Sequence, residues 1–334
     1  MKKKISLVLT FVLVLSLVLS ACTEPTAPET PEFVIASAID DATKAEADKV
    51  LASFMQAFEE DKPADAAELF SEGFEATEEN IGAFFAEVRK LVSSPFVPYD
   101  AYYISGIEVS DAPVKIKKDE SAKDYIELTP AEDELYCAMY VSEGEKISYM
   151  MTVLLAKEGE NFKIVWVNPT DFKYNGADAN ALYEKTKALS DDGKTIPAYI
   201  SSCMLSNVFR PGGYFRYEND LEMEDICYKL FTEIAEKYPL PLALENTSDS
   251  AIYEIGISND AELGIIPLFL FKTSVDVNDE AALKAESEKV ITALEKLSPG
   301  LRKNFEYARF EATNDELTEE TTSINSKTVN LKLK

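Results

Sequence analysis

The chain has 334 residues, and 60 Asp and Glu against 33 Lys and Arg give it a formal net charge of −27. This charge repels nucleic acid and anionic lipid headgroups, which argues against direct binding of either. Histidine is absent from the whole sequence. Its absence excludes catalytic sites of the Ser-His-Asp and Cys-His types and zinc sites of the HExxH type. We expect no cofactor and no metal.

The chain begins with a segment typical of secretory signals. Lys2, Lys3 and Lys4 precede an apolar run over residues 5–19, which is shorter than the roughly 20 residues of a membrane-spanning helix. The run ends in Leu19-Ser20-Ala21-Cys22, which resembles the lipobox of bacterial lipoproteins. The resemblance implies that residues 1–21 are removed as a signal peptide and that Cys22 is lipidated. The alternative is an ordinary secretory signal that carries a free cysteine.

Residues 22–42 follow as an acidic, proline-containing segment with Pro25, Pro28 and Pro31. This composition favours extended chain that rises about 3.1 Å per residue, so the tether reaches up to roughly 60 Å. Two or more acyl chains, such as diacylglyceryl and palmitate groups, hold a protein stably on a membrane. We therefore expect the protein to be anchored to the cell membrane through Cys22 and to face its extracytoplasmic side.

Residues 43–170 change from helical to strand periodicity. Apolar residues spaced three and four apart predict a helix ending near Asp61, a short second helix over 66–70, and a third helix that Thr77 caps. From Tyr99 the period is two. The predicted strands cover residues 101–109, 114–117, 125–128, 135–141, 146–156 and 162–168. Short glycine turns connect the last three, which predicts an antiparallel meander.

Three stretches in this region resemble the nuclear-transport-factor-2-like, cystatin-like cone. They are Phe54-Met55-Gln56-Ala57-Phe58-Glu59-Glu60-Asp61, Ala66-Ala67-Glu68-Leu69-Phe70 and Glu160-Asn161-Phe162-Lys163-Ile164-Val165-Trp166. The resemblance implies helices packed on a curved antiparallel sheet, with a pocket between them. Members of this family are enzymes, small-ligand binders or interaction domains, and the family's isomerases and dehydratases use a pocket Asp with Tyr or His partners.

The pocket residues that we predict for this cone are aromatic: Phe84, Phe85, Tyr140, Tyr149 and Trp166. Ordinary core packing is the alternative for all of them. The strand over 146–156 is apolar on both faces, since Tyr149 and Met151 alternate with Met150 and Leu154. In a sheet with one solvent-exposed face, apolar and polar residues alternate more regularly along each strand. We therefore expect a second domain, or a second protomer in a homo-oligomer, to cover the outer face.

Residues 171–334 predict a second α+β domain with a smaller sheet, and the chain as a whole is assigned to the α+β class. Helices are expected over 179–189, 196–208, 221–238 and 280–297, and strands over 252–257, 264–275 and 305–311. Asp279 is the expected cap of the last helix. The strand, helix, strand order at the end permits a right-handed crossover between parallel strands.

The three cysteines other than Cys22 lie on apolar faces: Cys137 on a strand, Cys203 and Cys227 on helices. Cysteine packs as a small core residue, which favours buried free thiols. A Cys203–Cys227 disulfide remains the alternative.

One loop combines cations and aromatic residues in an otherwise acidic chain. It contains Arg210, Tyr214 and Arg216 around Gly212-Gly213. Such a loop suits an anionic or sugar ligand. The alternative is a loop whose arginines pair with nearby carboxylates.

The sequence therefore predicts a lipid-anchored protein that binds a partner protein, an envelope component or a small ligand without catalysis. The alternative is a pocket-based isomerase, dehydratase or hydrolase that uses Asp and Tyr in the cone, which requires a buried carboxylate with a raised pKa. A solute-binding lipoprotein with two α/β lobes fits the antiparallel meander poorly.

Overall fold

The computed structural model of the protein describes residues 34–35, 39–106, 112–130, 132–316 and 325–334. The lipobox, Cys22 and most of the predicted tether lie outside these residues. Within the described ranges, no helix is both long and apolar enough to cross a membrane.

The described chain begins with a short strand and helices. These elements are β1 (Val34–Ile35), α1 (Asp41–Glu60), α2 (Pro63–Ala67) and α3 (Glu78–Leu91). Helix α1 starts at Asp41, where Asp40 Oδ1 accepts from the backbone N–H groups of Ala42 and Thr43 at 3.0 Å. Thr77 caps α3 as predicted, since its Oγ1 accepts from the Asn80 N–H at 3.2 Å.

A run of strands follows, and all of the predicted ones are present. They are β2 (Val97–Ser105), β3 (Val114–Lys117), β4 (Asp124–Leu128), β5 (Glu134–Ser142), β6 (Ile147–Glu158) and β7 (Asn161–Tyr174). Strands β2, β5, β6 and β7 form a sheet in that order with antiparallel neighbours, which confirms the predicted meander. Strand β2 starts four residues earlier than predicted and ends at Ser105, and residues 107–109 of the predicted strand lie outside the described residues. Strand β7 extends six residues further than predicted, to Tyr174.

The remaining chain alternates helices and strands. Its elements are α4 (Ala179–Asp191), α5 (Thr195–Val208), β8 (Phe215–Tyr217), α6 (Asp220–Lys237), β9 (Leu242–Ala243), β10 (Ala251–Asp260), β11 (Gly264–Lys272), α7 (Glu280–Leu297), α8 (Leu301–Asn304), β12 (Tyr307–Thr313) and β13 (Ser326–Lys332). Asp279 caps α7 as predicted. Strands β11 and β12, on either side of α7, are parallel neighbours in the sheet β13-β12-β11-β10-β9.

A further sheet connects the two sequence segments. Its order is β1-β3-β4-β8, and β8 pairs with β4 in antiparallel register, with Phe215 opposite Ile126. Residues 171–334 therefore contribute a strand to a sheet that the preceding segment begins. The described residues form an α+β structure with several antiparallel sheets and without a closed barrel.

Strand β6 is buried on both faces of the β2-β5-β6-β7 sheet, as the alternation of its residues predicts. Tyr149 and Met151 face a core that helices α1 and α3 complete. Met150 and Leu154 face a second core, which includes residues of α5 and β8. The outer face is thus covered by the same chain, and a second protomer is not required there.

The cysteines in the described part of the chain are free thiols. Cys137 is buried in the sheet, and Cys203 and Cys227 are partly buried on α5 and α6. Burial raises the pKa of Cys137 and of Cys227 to about 12 and that of Cys203 to about 11. Thiols with such pKa values are almost entirely protonated at neutral pH and react slowly.

Candidate functional site

A cavity of about 660 Å³ opens between helix α1 and the edge of the sheet formed by β2 and β5. Leu51 and Met55 of α1 and Ala138 of β5 form part of its apolar wall. These side chains belong to the apolar stripe of α1 and to the helix-facing side of β5. The cavity is within the 300 to 1,000 Å³ range of pockets that take small molecules.

An ion pair on α1 borders this cavity. Lys44 and Asp48 are one helical turn apart, and Lys44 Nζ lies 2.5 Å from Asp48 Oδ2. The hydrogen bond to Asp48 raises the pKa of Lys44. Both side chains are about half exposed, so the pair contributes little to stability. It remains accessible to a ligand at the mouth of the cavity.

Two tyrosines of β5, Tyr136 and Tyr140, supply further polar groups to the cavity wall. Burial raises the pKa of both hydroxyls, and the nearby charge of Asp48 raises these pKa values further. The pKa of Tyr140 reaches about 12. Both tyrosines are therefore protonated at neutral pH, and each can donate a hydrogen bond to a ligand oxygen.

The carboxylates whose pKa burial raises lie elsewhere. Among the described residues these are Asp124, Asp171 and Glu254, and none of them lines the cavity beside α1. Asp171 accepts a hydrogen bond from Tyr174, which opposes the effect of burial on its pKa. Among the described residues, the carboxylates that do line this cavity are those of Asp48 and Asp100.

The structure separates the predicted pocket aromatics. Phe85 is fully buried in the core below the helices, and Phe84 packs beside it. Tyr149 belongs to the same core. Tyr140 lines the cavity, while Trp166 lies on the other side of the sheet.

The predicted arginine residues are paired with carboxylates. Arg210 Nη2 lies 2.6 Å from Glu224 and 3.5 Å from Asp220. Arg216 Nε lies 3.7 Å from Glu127 and 4.0 Å from Asp220. Burial lowers the pKa of Arg216, and Glu127 opposes this shift. This arrangement matches the interpretation in which the loop pairs with neighbouring carboxylates.

Glycines allow the same loop to lie directly on the sheet. Gly212 has φ +64°, and a Cβ at this position would lie 2.1 Å from Thr152 Oγ1. A Cβ on Gly213, at φ +80°, would lie 2.7 Å from Trp166. This close approach brings Tyr214 onto Trp166, with ring centroids 4.6 Å apart. Two predicted site residues thus contact each other, but in packing rather than around an open pocket.

Lys44, Asp48 and Tyr136 line the cavity beside α1, although the sequence-based prediction of pocket residues did not include them. The signal for the first two is their spacing, since residues four apart share one face of a helix and the same face continues into Leu51 and Met55. Tyr136 lies four residues before Tyr140, so both point to one side of the strand.

Comparisons with known proteins found no matching family model, and no curated protein or solved structure with significant similarity to the chain.

Proposed function

We propose that the protein binds a small ligand without catalysis in the cavity beside α1 while a lipid on Cys22 holds it at the extracytoplasmic face of the membrane. The observation that carries the binding proposal is the cavity itself. The side chains of the described residues leave a volume of about 660 Å³ open, although the adjacent core is closely filled by aromatic rings.

The lining indicates the chemistry of the ligand. Leu51, Met55 and Ala138 favour an apolar body. The protonated hydroxyl of Tyr140 favours a hydrogen-bond acceptor on that body, such as a carbonyl or hydroxyl oxygen. A small, largely uncharged molecule with one or two such oxygens satisfies both requirements.

The proposal includes the cone and the two-domain layout. Residues 43–170 would form the nuclear-transport-factor-2-like cone, and residues 171–334 a C-terminal α+β domain on its outer face. Support comes from helices α1 and α3 on one face of an antiparallel sheet and from the second core on the other face. The cavity beside α1 then lies where the resemblance implies a ligand pocket.

The anchoring part of the proposal is tested with the Cys22→Ser variant. The wild-type protein is expected in the membrane fraction of its host and in solution only after detergent is added, because the acyl chains hold it. The variant cannot be lipidated and is expected to lose this detergent-dependent behaviour. Identical fractionation of the two proteins, measured by immunoblot, would refute the lipid anchor.

Ligand binding is tested by blocking the cavity. Ala52 is exposed on α1 and lines the mouth, so Ala52→Trp places an indole there without disturbing the core. We first screen small aromatic and aliphatic alcohols and ketones by thermal shift, and then measure the dissociation constants of the ligands found. Because the indole competes for the contact area of the ligand, we expect binding to weaken about tenfold or more, equivalent to about 1.4 kcal/mol or more.

The matched control is Ala86→Trp, which adds the same side chain at an exposed alanine of α3 away from this cavity. It should leave the dissociation constants unchanged. Equal affinity of the wild-type protein and Ala52→Trp for every ligand would show that binding occurs elsewhere.

A further inference from the structure

A second cavity, of about 500 Å³, lies between helices α4 and α5 on one side and strand β11 and residues 304–307 on the other. Leu182, Met204, Ile265 and Phe305 give it a buried apolar wall. It is separate from the cavity beside α1, since the two have no lining residue in common.

Lys185 of α4 places a cation beside this apolar wall. Its Nζ donates to the backbone oxygen of Asn304 at 3.4 Å and lies 4.6 Å from the ring centroid of Phe305. In the part of the chain that the structure describes, no carboxylate lies within 4.0 Å of this ammonium. Burial lowers the pKa of Lys185, and the charge of Lys334 lowers it further.

The charges around this ammonium leave it uncompensated. Lys146 and Lys334 also line the cavity, and Lys146 pairs with Glu145 at 3.4 Å. Glu262 and Glu306 border it too, but both are exposed, and neither makes an ion pair with Lys185. A partly buried ammonium without a counter-ion is unfavourable, particularly next to a second ammonium. A bound anion would remove that cost.

We propose that this cavity binds a small organic carboxylate, with its anionic group on Lys185 and its apolar body against Leu182, Met204 and Phe305. The Lys185 ammonium, which has no ion-pair partner among the described residues, and the apolar wall beside it favour a ligand that has both an anionic group and an apolar body. The proposal goes beyond the ligand of the cavity beside α1, because it concerns a different place in the fold and a different ligand charge.

The test uses the full-length chain labelled with carbon-13 at its methionine methyl groups. Hexanoate is the probe, hexan-1-ol is its uncharged analogue, and inorganic phosphate is an anion without an apolar body. We expect hexanoate to shift the Met204 methyl resonance with saturation, and expect neither hexan-1-ol nor phosphate to do so at the same concentrations. A shift of Met204 by phosphate and not by hexanoate would overturn the proposal, as would no shift by hexanoate at millimolar concentration.

The variant Lys185→Met keeps the aliphatic stem and removes the charge. Hexanoate is expected to bind it at least about tenfold more weakly, since hydrogen bonds to charged groups contribute the most. Lys187→Met, at an exposed lysine of the same helix, changes the net charge equally and should bind as the wild type does. Unchanged affinity in Lys185→Met would contradict the proposal. Folding of that variant is checked by the Met223 methyl resonance, because Met223 is buried and does not line this cavity.

Discussion

The Asp220→Ala variant is expected to lose about 3 to 5 kcal/mol of unfolding free energy, the range typical when one partner of a buried charge cluster is removed. Asp220 is 5% exposed. Its carboxylate accepts from the Tyr125 hydroxyl at 3.3 Å and lies 3.5 Å from Arg210 and 4.0 Å from Arg216. Without it, two guanidinium groups and a buried hydroxyl lose a common partner.

Urea denaturation measures this effect, and Asp225→Ala is the matched control. Asp225 lies on the same helix, but its side chain is exposed. Its removal should change the unfolding free energy by no more than about 0.5 kcal/mol. A loss below about 1 kcal/mol in Asp220→Ala would show that the cluster does not stabilise the contact of β4 with α6.

The Phe85→Ala variant is also expected to lose about 3 to 5 kcal/mol, the usual cost of truncating a buried Phe. The ring of Phe85 is fully buried, and its centroid lies 6.0 Å from that of Phe54 and 5.1 Å from that of Phe58. Removing it opens a cavity in the core between the helices and the sheet. Because Phe85 does not line the cavity beside α1, ligand affinity in the folded fraction should stay close to that of the wild type.

Two measurements on Phe85→Ala separate a core residue from a pocket residue. Urea denaturation gives the loss of stability, and Phe231→Ala, at a phenylalanine that is 62% exposed on α6, is the control with a small expected effect. A tenfold loss of ligand affinity with stability unchanged would instead place Phe85 in the binding site, as the sequence suggested.

Local signals account for the elements that the sequence predicted well. Thr77 and Asp279 cap their helices in the structure because a side-chain oxygen before an apolar-periodic segment satisfies free N–H groups at the helix start. The alternation in β6 identified both of its buried faces, since a strand exposes successive side chains to opposite sides.

The elements that the sequence missed depend on distant partners. Strand β8 is the three-residue segment Phe215–Tyr217 beside a glycine loop, and it becomes a strand only by pairing with β4. Strand β13 is largely polar and lies at the edge of its sheet next to β12. Neither segment has enough length or alternation to indicate a strand without its neighbour.

The sites were harder to predict than the fold, because periodicity tells which face is buried but not whether the space beside it is filled. The sequence predicts that Phe85 and Tyr140 both face inward, but Phe85 fills the core and Tyr140 lines an open cavity. From the sequence, Lys185 is expected to be an exposed lysine of an amphipathic helix. Its surroundings are set by Asn304 and Phe305, which are more than 100 positions away in the sequence.

The most direct test of ligand binding beside α1 is the methionine-methyl spectrum of the full-length chain with the tightest alcohol or ketone from the thermal-shift screen. Met55 lines that cavity, Met204 lines the second cavity, which contains Lys185, and Met223 lines neither. We predict that the ligand shifts the Met55 resonance with saturation and leaves Met204 and Met223 unchanged. A ligand that binds while the Met55 resonance stays in place would contradict the account.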